Sequence, residues 1–223
     1  MSPSKRNSTQ DEALMKITLI GTGNMGSAFA KQLSAAGHTV RVTGRDIGKA
    51  QALADQFANV SAHTASEALN DSDVVVLATA YPDAAAALQS LGDLTGKVII
   101  DITNPLSADF MSLTVGHVTS ASEEIAKSVP QAHVVKAFNT LFAQVLADGP
   151  TFANDQTGSV FVASDSERAK QTAIALARSL GWNTVDAGGL VNARYLEPLA
   201  GLNIYLGYGA GLGTTVAPVW LSK

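Results

Sequence analysis

The chain has 223 residues, 46% of them hydrophobic and 15% charged, with a net charge of −4 and no cysteine. This length suits one large α/β domain, or a nucleotide-binding domain with a smaller partner domain. The lack of cysteine excludes disulfides, thiolate catalysis and Cys-ligated metals. The acidic balance, with no run of basic residues, gives no support for nucleic acid or a membrane as partner.

The first fifteen residues are polar and lack the apolar core of a signal peptide. We interpret residues 1–15 as a flexible leader outside the fold, and we expect a cytoplasmic protein. The most apolar later stretch, residues 195–220, is interrupted by Glu197, Pro198 and several glycines. A buried helix followed by a loop is therefore favoured there over a membrane span.

Apolar runs and helical repeats alternate along the remaining chain. The apolar runs predict strands at residues 16–20, 39–43, 60–62, 73–78, 97–101, 133–137, 159–163 and 183–185. The helical spacing predicts helices at residues 24–36, 47–57, 83–91, 122–127, 166–180 and 192–208, with another ending near residue 146. This alternation predicts an α/β fold: a Rossmann-type doubly wound parallel sheet over residues 16–125 and a small C-terminal α/β domain over residues 126–223.

The first predicted strand runs into a glycine-rich turn that opens a helix. Its residues are Gly21, Thr22, Gly23, Asn24, Met25 and Gly26. In this context Gly21 permits the tight turn, Gly23 lets a diphosphate approach the backbone, and Gly26 lets the helix pack on the strand. The helix N-terminus adds free N–H groups and a positive dipole end. The pattern favours a dinucleotide site over an ordinary glycine-rich turn.

The end of the second predicted strand indicates which dinucleotide binds. NAD-specific proteins place an acid there for the ribose hydroxyl, but this chain has Gly44 followed by Arg45, with Lys49 one helical turn further. A guanidinium can hold a 2′-phosphate, and Thr22 could add a hydroxyl, so NADP is favoured over NAD. The alternative is that Arg45 is only a solvated charge. Asp46 is expected to cap the next helix.

The nicotinamide end of the site should follow the fourth and fifth strands. The small residues after the fourth strand should let the nicotinamide ribose approach the backbone; they are Ala78, Thr79 and Ala80, followed by Tyr81. After the fifth strand come Asn104 and Pro105. Asn104 either hydrogen-bonds the cofactor or simply caps the turn before the proline.

Taken together, these motifs resemble the NADPH:F420 oxidoreductases and the related oxidoreductase domain of six-transmembrane metalloreductases. The matching segments span the folded chain: 21–26, 37–38, 44–45, 104–105, 135–140, 186–190, 192–194 and 197–199. The resemblance implies a Rossmann domain and a small α/β domain with a second redox cofactor in the cleft between them. It also implies that Thr22, Arg45 and Lys49 hold the 2′-phosphate.

The activity implied by the resemblance is direct hydride transfer between NADPH and coenzyme F420 or a flavin such as FMN or FAD. Such a transfer needs stacked rings and excluded water rather than a protein acid or base, so we predict no catalytic side chain and no metal ligand. Asn139 is expected at the cofactor site. The archaeal deazaflavin enzymes carry His at this position and the metalloreductase domains carry Asn, which leaves the acceptor open. Gly44 departs from the family's frequent Ser.

Other functions remain possible for the same loop. A non-catalytic NADP(H)-binding redox sensor or regulator is the main alternative. Pyrroline-5-carboxylate reductases have a larger, all-helical second domain, whereas strands are predicted here. β-Hydroxyacid dehydrogenases need a lysine in the interdomain helix, and residues 191–222 contain none.

Two features of the C-terminal segment carry further expectations. Arg194 and Glu197 are three residues apart on one predicted helix, which favours a local ion pair; alternatively Arg194 ties that helix to the cleft. Residues 202–213 are too apolar for an exposed surface, so they should pack in the cleft or against a second subunit. A homodimer is the expected assembly, with a small-molecule redox acceptor as the other partner.

Overall fold

The computed structural model describes residues 14–221, so residues 1–13 of the predicted leader lie outside the described residues. The strands are β1 Lys16–Ile20, β2 Thr39–Thr43, β3 Val60–Ala62, β4 Val74–Leu77, β5 Val98–Asp101, β6 His133–Lys136, β7 Ser159–Val162 and β8 Asn183–Asp186. The α-helices are α1 Asn24–Ala35, α2 Ile47–Ala54, α3 Ala65–Ala68, α4 Ala84–Gln89, α5 Ala121–Ser128, α6 Ala143–Asp148, α7 Glu167–Ser179 and α8 Ala193–Ile204, which continues into a π-helical turn, Tyr205–Gly209.

Six parallel strands form the main sheet, in the order β3-β2-β1-β4-β5-β6. Every residue of β4 and β5 is buried, because helices cover both faces of the sheet. The chain order reverses between β1 and β4, and in such sheets ligands bind at the carboxyl ends of the strands beside this point. The predicted α/β, Rossmann-type doubly wound fold is confirmed.

A second, two-stranded parallel sheet pairs β7 with β8, and α7 connects the two strands. The boundary of this small unit differs from the one predicted, because β6 pairs with β5 in the main sheet, with Asp101 opposite Lys136. A division after residue 125 therefore cuts through that sheet. The two sheets are also joined directly: the backbone N–H groups of Lys136 and Ala163 each donate to the other residue's carbonyl oxygen.

Ion pairs attach α8 to α5 and to the main sheet, and they differ from the pair predicted from the sequence. Arg194 does not pair with Glu197; its Nε and Nη2 donate to the two carboxylate oxygens of Glu123 in α5, at 2.9 and 2.7 Å. Glu197 is buried and faces Lys136 instead. The predicted local ion pair is therefore wrong, and Arg194 instead ties α8 to α5. A buried carboxylate needs several donors, and these come from distant segments.

The apolar segment of residues 202–213, at the end of α8 and beyond it, is less buried than predicted. Leu202, Tyr205, Tyr208 and Leu212 are each more than half exposed, whereas Asn203 is buried. Within one chain the cleft therefore does not bury these four large side chains. No helix within residues 14–221 is both long and apolar enough to cross a membrane.

Candidate functional site

The glycine-rich turn between β1 and α1 has the backbone that its spacing predicts. Gly21 adopts φ +118°, a conformation that favours glycine, and a Cβ there would overlap the carbonyl oxygen of Ala78. A Cβ at Gly26 would overlap the carbonyl oxygen of Gly21, so α1 can lie this close to the turn only because residue 26 is glycine. Around Gly23 there is open space instead. The close contacts at Gly21 and Gly26 hold the turn in the shape of a cradle. Because Gly23 has no side chain, the space inside this cradle is open.

Helix α1 presents its N-terminus to this cradle. Its N-cap is Gly23, which offers no side-chain hydrogen bond, and its first turn carries no acidic residue. The first N–H groups of a helix have no partner within the helix, and the helix dipole is positive at that end. The twelve-residue helix therefore offers donors and partial positive charge to an anion lying over Gly23.

A cavity of about 570 Å³ extends from this cradle across the ends of β1, β2 and β4. It brings together many of the residues predicted from the sequence: Gly21, Thr22, Gly23, Gly44, Arg45, Lys49, Ala78, Thr79 and Ala80. Small residues of α3 and α4 line its far wall. This volume lies within the range of about 300–1,000 Å³ typical of cofactor and ligand pockets.

Two cations lie at the end of the cavity beside β2. The Arg45 side chain is 90% exposed, and its Nη1 lies 3.5 Å from Asp83 Oδ2. An exposed pair of this kind contributes little free energy, so the guanidinium can turn to another anion. The carboxylate of Asp46 accepts a hydrogen bond from the backbone N–H of Lys49, which confirms the predicted cap of α2. Arg45 and Lys49 both line the part of the cavity beside β2.

Thr79 lines this cavity and has an unused hydrogen-bonding group. Its Oγ1 is buried and has no hydrogen-bond partner among the described residues. Buried hydroxyls are usually hydrogen-bonded, and such an orphan calls for an explanation. A polar group of a bound ligand would supply the missing partner. With the open space at Gly23, this is the second observation that fits a dinucleotide here.

A smaller cavity, of about 200 Å³, lies beyond the ends of β5 and β6. Its lining includes Met25, Asn104 and Asn139 from the predicted set, with Phe110, Asn203 and Tyr208. Asn104 and Asn139 contact each other directly: Asn104 Nδ2 donates to the Asn139 carbonyl oxygen at 2.8 Å, and Asn139 Nδ2 donates to Asn104 Oδ1 at 3.0 Å. The turn-capping alternative for Asn104 is therefore replaced by a tie between two loops.

Four other predicted residues line neither of these cavities: Gly26, which packs against Gly21, and Asn24, Pro105 and Tyr81. Asn24, at the start of α1, lines a separate cavity toward α6. Pro105 is buried in its loop, where its carbonyl oxygen accepts from the N–H of Thr114. Tyr81 opens a 3₁₀ turn after β4, and burial, together with the nearby carboxylates of Glu124, Glu197 and Asp101, raises the pKa of its phenol.

A buried ionic cluster that was not predicted from the sequence lies next to residues that line the smaller cavity. Lys136 Nζ lies 2.8 Å from Asp101 Oδ2 and 3.1 Å from Glu197 Oε1, and it donates to the carbonyl oxygen of Thr103 at 2.7 Å. All three charged side chains are essentially unexposed. A charged residue at the end of each of two adjacent apolar strands was the available signal.

The second carboxylate of this cluster is balanced by a helix. Glu197 accepts from the backbone N–H groups of Ala121 and Ser122 at the start of α5, at 2.9 and 3.2 Å. A cation and a helix N-terminus thus offset two carboxylates, as buried charge requires. The cluster joins β5, β6, α5 and α8, so it fixes α8 against the strand ends that form the smaller cavity.

Comparison with known proteins agrees with this arrangement. Residues 16–105 match the family described as NADP oxidoreductase, coenzyme F420-dependent. A crystal structure from Arthrobacter sp. FB24, described as an F420-dependent NADP-reductase, superposes with a TM-score of 0.81 at 30% identity, covering 90% of this chain and 96% of that one. A hypothetical protein from Sinorhizobium meliloti superposes with a TM-score of 0.73 at 29% identity, covering 81% and 88% of the two chains.

Metalloreductase STEAP3 of Rattus norvegicus is also similar, with 31% identity over 185 residues. That match covers 82% of this chain but only 36% of the metalloreductase. The similarity is therefore to one part of a longer protein.

Proposed function

The chain belongs to the family of coenzyme F420-dependent NADP oxidoreductases, and from this premise we propose that it transfers hydride between NADPH and a deazaflavin (F420) or flavin acceptor. The observation that carries the proposal is the 570 Å³ cavity, in which the open cradle at Gly23 and the cations Arg45 and Lys49 line one continuous space. In bound NADP(H), the diphosphate would lie at the cradle and the 2′-phosphate at the two cations.

The residues divide the binding of NADP(H) between them. The N–H groups at the start of α1 would hold the diphosphate, Arg45 and Lys49 the 2′-phosphate, and Thr79 a polar group along the cofactor. When bound, NADPH supplies the hydride. The protein's part is to bind and orient the two reactants and to exclude water.

The proposed reaction is tested by mixing the protein with NADPH and one acceptor at a time, using F420, FMN, FAD and riboflavin. We expect loss of NADPH absorbance with at least one of them. A protein that binds NADP tightly but turns over none would instead be the non-catalytic redox sensor.

Preference for NADP is tested separately with Arg45→Ala. Loss of a charge-assisted hydrogen bond to phosphate should weaken NADPH binding by about 10- to 100-fold and leave NADH binding almost unchanged. Asp83→Ala is the matched control, because it removes the carboxylate that competes for Arg45 and should strengthen NADPH binding slightly. Equal losses for NADPH and NADH in Arg45→Ala would contradict the proposed role.

A further inference from the structure

Asn139 holds an unpartnered polar atom at the smaller cavity. Asn139 lines that cavity and is only 5% exposed, and its buried Oδ1 has no hydrogen-bond partner among the described residues. A buried carbonyl oxygen left without a donor costs free energy, so its persistence at a cavity wall points to a donor that arrives with a ligand.

The orientation of the Asn139 amide is fixed by its nitrogen. Nδ2 donates to Asn104 Oδ1 at 3.0 Å and to the carbonyl oxygen of Leu196 at 2.9 Å, which uses both of its hydrogens. Rotating the amide by half a turn would place Oδ1 against these two acceptors and is therefore unfavourable. The free group is thus an acceptor only, and a ligand must bring an N–H or O–H to it.

The backbone before Asn139 is held in a costly conformation. Phe138 has φ +59°, a left-handed value that is unusual for a bulky residue. The ring is buried and meets Phe29 edge-to-face, with ring centroids 5.1 Å apart. Strain of this kind persists where the surroundings enforce it, commonly at binding sites. Here it belongs to the turn that brings Asn139 to the cavity wall.

The cavity's size limits what can enter. About 200 Å³ is less than the roughly 300–1,000 Å³ of pockets that enclose whole ligands, so one edge of a ring system fits and an entire cofactor does not. Its lining is apolar and aromatic apart from Asn104, Asn139, Thr140, Asn203 and the Tyr208 hydroxyl. A planar ring edge carrying one amide-type N–H matches both features.

We propose that Asn139 Oδ1 is a specificity-determining acceptor for a planar amide or imide N–H at the edge of the redox ligand. This deepens the proposed function and rests on it. Two redox rings carry such a group: the nicotinamide, with its carboxamide, and the flavin or deazaflavin, with the imide of its pyrimidine ring. A ring in which that N–H is blocked should therefore bind less tightly.

Matched ligand pairs test this in the unaltered protein by binding alone. Lumiflavin is compared with 3-methyllumiflavin in the presence of NADP⁺, and NADP⁺ with its 3-acetylpyridine analogue, which replaces the amide by a methyl ketone. In one of these two pairs, the ligand that carries the N–H should bind about three- to tenfold more tightly than its partner. This is the change in affinity that one hydrogen bond usually contributes. That pair identifies the ring. Equal binding within both pairs would overturn the proposal.

Asn139→Leu provides the second arm, because it keeps the side-chain size and removes the acceptor. The preference within the responding pair should fall to about one. Asn192→Leu is the matched control: Asn192 lies outside this cavity and its Nδ2 donates to the Ala187 carbonyl oxygen, so its loss should leave the preference in place. A preference that survives Asn139→Leu would also overturn the proposal.

These outcomes are separate from the fate of the proposed function. Absence of NADPH oxidation with every acceptor would refute hydride transfer, while the binding preferences would still judge Asn139. If neither flavin binds, the nicotinamide pair alone decides. The wild-type comparison does not depend on whether Asn139→Leu folds.

Discussion

Gly44 stands where β2 ends, next to the side chain of Thr22. A Cβ added there would lie 3.4 Å from Thr22 Cγ2, an ordinary contact, so a serine fits without displacing its neighbour. Because residue 44 lines the same wall as Arg45, a hydroxyl there should add one hydrogen bond to a 2′-phosphate. We expect Gly44→Ser to lower the Kd for NADP⁺ by about three- to tenfold, measured by calorimetry, with NAD⁺ unchanged.

Gly44→Ala is the control for this substitution, because it adds the Cβ without the hydroxyl. If alanine strengthened NADP⁺ binding as much as serine does, the gain would come from a stiffer backbone and not from a hydrogen bond. A gain shared by NAD⁺ would likewise contradict contact with the 2′-phosphate.

Residue roles were predictable where the reason is local. Gly21 and Gly26 follow from the tight strand–helix turn, and Asp46 caps the helix that begins at the next residue, through the N–H of Lys49. The backbone partners of Glu197 could not be predicted in this way, since they lie 75 and 76 positions earlier in the chain. The unused Oδ1 of Asn139 was equally invisible, because it depends on three segments meeting.

At the scale of elements, His38 joins the start of β2 to α7 of the smaller unit. The ring is buried; its Nε2 lies 2.8 Å from Ser179 Oγ, and its Nδ1 accepts from the backbone N–H of Met15 at 3.1 Å. The Ser179 hydroxyl already donates to the Leu176 carbonyl oxygen, so Nε2 must be the donor and the ring is neutral. Protonation at Nδ1 would break the bond to Met15.

Burial lowers the pKa of His38 in the folded protein. The unfolded chain, with a His pKa near about 6.5, therefore binds the proton at a higher pH than the folded chain does. The stabilisation is complete above that value and is lost as pH falls below it. We expect the free energy of unfolding, measured with urea, to fall between about pH 8 and about pH 5.5.

His38→Gln isolates this contribution from that of His63, whose pKa burial also lowers. The variant should be less stable near pH 8, because it loses the fit of the ring, but its stability should fall less steeply with acid. Parallel curves for the two proteins would show that His38 does not carry the pH dependence.

Element types were predictable because each strand and helix has its own periodicity. Which sheet each strand joins could not be predicted from periodicity, as β6 shows. Its apolar residues fit any buried parallel strand, and only its pairing with β5 places it in the main sheet. The pairing joins residues more than thirty positions apart, which periodicity does not record.

At the scale of the whole molecule, α8 and the turns at its two ends leave an apolar stripe uncovered. Val191, Tyr195, Leu202 and Tyr205 are between 48% and 75% exposed, at spacings that place them along one side of the helix. None of these side chains is charged. A two-fold symmetric dimer places the same patch of two chains against each other, so it would bury this stripe against the stripe of a second copy.

We expect this stripe to form a homodimer, and Leu202→Glu with Tyr205→Glu to convert it to a monomer in size-exclusion chromatography with light scattering. Both side chains are more than half exposed within one chain, so the substitutions should change the stability of the monomer little. Two carboxylates facing their copies across a two-fold axis would strongly disfavour association. Ile47→Glu is the control: it is 52% exposed at the start of α2, away from the stripe, and should leave the dimer intact. A wild-type protein that stays monomeric at high concentration would refute the pairing and leave the stripe unexplained.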